Sequence, residues 1–194
     1  VNGTKPDRKK PNIYRIDSNS SRFDIRGTES LAGGLNSIFQ IDHGSINISS
    51  TGGALAGRDS FVGLSGSFGR VYMGHYSAPY DDITGIGGNN TLNTGILGQG
   101  NLWAQGTQSD ANGGFDNRLK NSIRWDSPNW AGFVTSMQFA TAEDSPSANS
   151  NQGSFSGKYN NGPFAAVIAY QYNNNIRGVK FQELDDSAFS IAAQ

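Results

Sequence analysis

Along most of the chain, apolar and polar residues alternate one by one, the period of a strand with one dry and one wet face. Residues Ser21 to Glu29, SRFDIRGTE, set Arg22, Asp24, Arg26 and Thr28 on one side and Phe23 and Ile25 on the other. Leu35 to Asp42 continues the pattern, with Leu35, Ser37, Phe39 and Ile41 opposite Asn36, Ile38, Gln40 and Asp42. The Gly33-Gly34 pair predicts the hairpin turn between these two runs. Arg58 to Ser67 and Arg70 to Ala78 predict a second hairpin around Phe68-Gly69. There Val62, Leu64, Val71 and Met73 fall on what reads as the polar side, so these strands are expected to have protein on both faces. Leu119 to Ser127 restores the alternation, placing Leu119, Ile123 and Trp125 against Lys120, Ser122, Arg124 and Asp126. Phe133 to Thr141 pairs back across Pro128-Asn129, Phe155 to Asn160 and Phe164 to Tyr172 meet at Asn161-Gly162-Pro163, and Ser187 opens a last strand.

The connections alternate in length. Short turns are expected at 30–34, 67–69, 128–131 and 161–163, and long polar stretches at 43–57, 79–117, 142–153 and 173–186. About nine strands of roughly 10 residues, with tight turns at one end and long loops at the other, make the pattern of an outer-membrane barrel. Tyr76, Trp125, Trp130, Tyr159 and Tyr172 near strand ends are expected to form the interfacial aromatic girdles. The stretch from Pro79 to Asn117 has no sustained period and is rich in Gly and Asn. Structureless connections of this length are usually functional or disordered.

Composition narrows the classes. Hydrophobic residues make up 35% of the chain, little for a filled core, yet aromatics reach 11% and glycine 26 of 194 residues, too much for a disordered segment. A wet interior and an apolar exterior would give this mixture. Fifteen basic residues balance sixteen acidic ones, which argues against nucleic acid as a partner. Cysteine is absent, so disulfides and thiolate metal sites are excluded, and no apolar run approaches the ~18 residues of a membrane helix. His43 and His75 are far apart in sequence and no nucleophile has a paired base, so neither catalysis nor a cofactor is expected. The competing class is a secreted or surface β-sandwich that binds glycans, which would need its apolar residues in a dry core.

Four segments, SRFDIRGTESLAGGLNSIFQID, RDSFVGLSGSFGRVYMGHYSAPYDD, NRLKNSIRWDSPNWAGF and FSGKYNNGPFAAVIAYQY, resemble consecutive hairpins of the general porins of Gram-negative bacteria, β-proteobacterial branch. The resemblance implies one all-β domain over 1–194: a transmembrane antiparallel barrel of about sixteen strands in the outer membrane. It implies a homotrimer in contact with outer-membrane lipid and lipopolysaccharide, with small hydrophilic solutes and ions passing through. It makes 79–117 the loop that folds inward to narrow the pore. It also implies a strand before Val1, about six strands after Gln194, and a trimer contact near residues 60–76.

Arginine on a lipid face costs about 2–4 kcal/mol at mid-membrane, so Arg22, Arg26 and Arg124 are expected to face the lumen. The resemblance places Arg26 and Arg124 in the basic wall of a constriction, with Arg22, Arg58 and Lys120 beside them. His75 stands where the family usually has arginine. Asp81 and Asp82 begin the inward loop and, with Asp110, are the candidate acidic side. The reading is a passive diffusion channel with a mild anion preference set by the basic wall.

Overall fold

The computed structural model describes residues 22–44, 56–86, 115, 117–141, 150–175 and 185–194. They form one antiparallel sheet of nine strands in sequential order. The strands are β1 Arg22–Ser30, β2 Asn36–Gly44, β3 Ser60–Gly66, β4 Gly69–Ser77, β5 Arg118–Asp126, β6 Phe133–Thr141, β7 Asn151–Asn161, β8 Phe164–Asn174 and β9 Asp185–Ala193. A 3-10 turn, η1 Ala32–Gly34, joins β1 to β2, and a second, η2 Pro79–Gly85, follows β4. The sheet is open, with β1 and β9 as its edges.

One face carries the large apolar side chains, and they are exposed. Phe23, Ile25, Phe39, Ile41, Val62, Leu64, Met73, Ile123, Phe133, Phe164, Ile168 and Tyr170 all lie open on it. Cross-strand pairing sets them in rows, as in Phe39↔Val62↔Met73↔Ile123↔Phe139. No second sheet covers this face among the described residues, whereas a sandwich would bury it in a dry core. The other face holds the buried polar residues, including Asp42, Ser122, Arg124, Asp126, Ser136, Gln138, Ser156 and Gln171.

Four expectations are corrected. Val62, Leu64, Val71 and Met73 lie on the apolar face, so β3 and β4 alternate normally. The misreading came from Phe61, Tyr72 and Tyr76, whose rings form a cluster on the polar face with centroids 4.6, 5.5 and 5.2 Å apart. Tyr76 therefore belongs to no outward girdle. Leu119 does not share a face with Ile123: the β4–β5 register shifts between Gly74 and Tyr76, and Asn121 takes a left-handed φ of 48°. That bulge brings Leu119 onto the polar face, where it is fully buried. Finally, β7 and β8 continue into polar sequence, pairing Asn151 with Asn174 and Gln152 with Asn173 where loops were expected.

The tight turn between β3 and β4 depends on Gly69. Its φ is 93°, and a Cβ there would sit 2.1 Å from the Asp126 carbonyl oxygen. At the same end Trp125 Nε1 donates to the Phe68 carbonyl at 2.9 Å, giving an indole on the apolar face the polar partner it needs.

Candidate functional site at the polar face

The long connection begins with Pro79 at the first position of η2, where its fixed φ and missing N–H cost nothing. From there η2 lies on the polar face against β6, β7, β8 and β9. That face offers small side chains as a seat: Ala140, Ser154, Ser156, Ala169, Ala188 and Ser190. Tyr80 fills it, buried together with Ala78, Phe115 and Leu119, and its ring stands 5.8 Å from Phe115. The Tyr80 N–H donates to Ser154 Oγ at 2.9 Å, and its hydroxyl bonds Ser190 Oγ. The Ala78 N–H donates to the Asn117 carbonyl at 3.1 Å, tying the start of the long connection to its end.

Arg124 is the hub of the charged groups around η2, and only 6% of its side chain is exposed. Its Nε donates to Asp126 Oδ1 at 2.8 Å, Nη1 to the Ser77 carbonyl at 2.7 Å and Nη2 to Ser136 Oγ at 3.3 Å. Its guanidinium also lies 4.9 Å from the centre of the Tyr76 ring. The other Asp126 oxygen accepts from Arg70 at 2.7 Å and from the Tyr72 hydroxyl at 2.9 Å. Asp82 accepts from Ser156 Oγ at 2.6 Å, pairs with Lys158 at 3.1 Å and lies 3.9 Å from Arg124. Asp59 accepts from Arg118 Nε at 2.6 Å and from Ser77 Oγ at 3.2 Å. A cavity of about 400 Å³ lies among Arg70, Tyr76, Asp82, Arg124 and Lys158. A second, of about 530 Å³, shares Asp81, Asp82 and Lys158 and reaches Tyr159 and Asn160.

Of the candidates read from the sequence, the structure brings Arg124, Asp81 and Asp82 together here. Arg26 shares the polar face but lies on β1, bonded to Asp24 through Nε at 2.8 Å. Arg22 is exposed at the start of the same edge strand. Arg58 pairs with Asp42 at 3.4 Å, beside β2. Two residues leave the proposed wall. His75 precedes the polar-face Tyr76 and so turns to the opposite face, and Lys120, exposed beside the bulge, follows the polar-face Leu119 in the same way. Asp110 lies outside the described residues.

Sequence reasoning missed Arg70, Asp59, Arg118 and Lys158. Lys158 was within reach: Phe155, Gly157 and Tyr159 share one face of an alternating run, so the residue between the last two points the other way. Asp59 and Arg118 carried no such signal, because they flank strand ends where alternation stops.

A sheet with its apolar face outward and a charged, partly filled polar face defines a transmembrane β-barrel wall. The family model for Gram-negative porins matches residues 1–194, and the chain belongs to that family. It is 29% identical over 171 residues to the major outer membrane protein P.IB of Neisseria gonorrhoeae, covering 88% of this chain and 46% of that protein. It is 28% identical over 137 residues to P.IA of Neisseria meningitidis serogroup C, covering 69% and 32%. The chain thus spans under half the length of these curated relatives. Among solved structures, the anion-selective porin from Comamonas acidovorans superposes with a TM-score of 0.67 at 24% identity, covering 90% of this chain and 53% of that one. A loop L8 deletion mutant of OmpT, an outer membrane protein of Vibrio cholerae, gives 0.65 at 17% identity. The outer membrane of a Gram-negative bacterium is the chain's location.

Proposed function

We propose that this chain forms part of the wall of a water-filled diffusion channel for small hydrophilic solutes and ions, with a mild preference for anions. The polar face is the lumen wall, and η2 is the start of a constricting loop spanning about 79–117. One observation carries the selectivity. In four ion pairs on or beside this face the cation is the more exposed partner: Arg26 over Asp24, Arg58 over Asp42, Arg70 over Asp126 and Lys158 over Asp82; the buried Arg124 is less exposed than Asp82. The contrast is largest where Arg70 is 50% exposed and Asp126 6%. At these four pairs a permeating ion meets more of the cation than of its carboxylate. Arg124 acts differently from the sequence expectation, as the buried brace that orients Asp126 rather than as a charge facing water. The solved anion-selective porin with the same fold supports this reading. The apolar face of β1–β4 is the surface through which a homotrimer would form, and the rest of the apolar face would meet lipid and lipopolysaccharide.

The test is the reversal potential in planar bilayers under a salt gradient, on the protein as its bacterium makes it. A fixed charge about one Debye length, ~8 Å, from the ion changes the anion-to-cation permeability ratio about twofold. Arg70→Ala and Lys158→Ala should each lower that ratio by about this factor. A parent channel that prefers cations, or a ratio unmoved by both substitutions, overturns the assignment.

A further inference from the structure

The cavity among Arg70, Tyr76 and Lys158, whose lining also includes four carboxylates, Asp82 and Asp126 among them, has chemistry beyond fixed charge. Its volume, about 400 Å³, falls in the range of small-molecule clefts, about 300–1,000 Å³. Arg70 enters it from β4 with half its side chain exposed. One side of that guanidinium is engaged, its carbon 5.7 Å from the centre of the Tyr72 ring and its Nη2 donating to Asp126 at 2.7 Å, so a ligand meets its remaining donors. Tyr76 contributes an aromatic wall, held edge-on by Phe61 and Tyr72 at interplanar angles of 69° and 71°. Lys158, about a third exposed and paired on one side with Asp82 at 3.1 Å, adds a second cation. A guanidinium differs from an ammonium in that it is planar, stacks on aromatic rings and grips a carboxylate with two parallel donors.

From this juxtaposition we propose that the cavity is a transient binding site for aromatic carboxylates: single-ring acids whose ring lies against Arg70 and Tyr76 and whose carboxylate is held by Arg70 and Lys158. The inference rests on the channel reading and names the solute class that such a channel would retain longest. Saturated acids of similar size and equal charge would gain the electrostatic part of the site and lose the stacking part.

The experiment uses two probes, benzoate and cyclohexanecarboxylate, with the protein as its bacterium makes it in a planar bilayer. Each probe is titrated against a steady chloride current, and the half-blocking concentration is read. A cation–π contact of about 0.5–1 kcal/mol predicts that benzoate blocks at a two- to fivefold lower concentration than cyclohexanecarboxylate. Arg70→Lys keeps the charge and removes the planar face, and should bring the two probes to the same half-blocking concentration. Tyr76→Leu should reduce the gap as well. Equal half-blocking concentrations in the unsubstituted protein overturn the aromatic site while leaving the channel intact. A gap that survives both substitutions places ring recognition elsewhere and also overturns it. Failure to carry chloride current at all would instead refute the underlying channel reading.

Discussion

At the scale of single residues, Asp126 organises more of the polar face than any candidate singled out from the sequence. It is buried, yet it accepts from Arg124, Arg70 and Tyr72, and so brings two strands' cations to one carboxylate. A buried ion pair is poor evidence of net stability, since desolvation offsets most of the attraction. Removing one partner is a different matter, because it strands the other charge. Asp126→Ala should therefore destabilise the folded barrel by about 3–5 kcal/mol, while the paired change Arg124→Met with Asp126→Leu should cost much less. Thermal loss of heat-modifiable gel mobility would measure both, and equal losses for the single and double variants would contradict the argument. Little in the sequence announces this role. Alternation placed Arg124 and Asp126 on one face, but which of two neighbouring charges is buried depends on Arg70 and Tyr72, which arrive from β4, some fifty residues earlier in the chain.

At the scale of elements, strands were legible and their exceptions were not. A strand in a lipid-facing sheet must be apolar on one side over its whole length, so alternation is a strong signal wherever both faces follow the rule. It failed where the polar face carries aromatic rings, as in β3 and β4, and where a bulge changes parity, as at Asn121. Neither has a local signature, because the rings are admitted by the space on the inner face and the bulge by the demands of Leu119 packing under η2. The seat of η2 left only a faint trace, as small residues at inward positions of β6 to β9. Its chief anchor is Tyr80, which is almost wholly buried and bonded at both its backbone and its hydroxyl. Tyr80→Ala should remove about 3–5 kcal/mol of local packing from η2 without touching the strand ladder. The expected outcome is an unchanged β-sheet circular dichroism spectrum together with increased open-channel current noise. Quiet, unaltered single-channel currents would mean that Asp82, through Ser156 and Lys158, holds the segment without Tyr80.

At the scale of the whole molecule, the sheet order β1 to β9 follows the chain without a crossover, which is how a meander grows towards a barrel. Among the described residues β1 and β9 have no further strand beside them, and such a meander presents two rows of backbone N–H and C=O groups. Water can satisfy them in solution, but hydrocarbon cannot, and each unmet group there costs several kcal/mol. The apolar face deepens the conflict: Phe189 and Ile191 on β9 and Phe23 and Ile25 on β1 commit both edge strands to the apolar outer surface of the wall. A polypeptide limited to these 194 residues should therefore fail to insert as a closed wall. Refolded into detergent micelles, it should show no heat-modifiable band, and its β1 and β9 amides should exchange hydrogen far faster than those of β6 and β7. A stable, heat-modifiable, ion-conducting species formed by the 194 residues as a monomer would show that nine strands can satisfy their own edges in a membrane, and would overturn the closure argument.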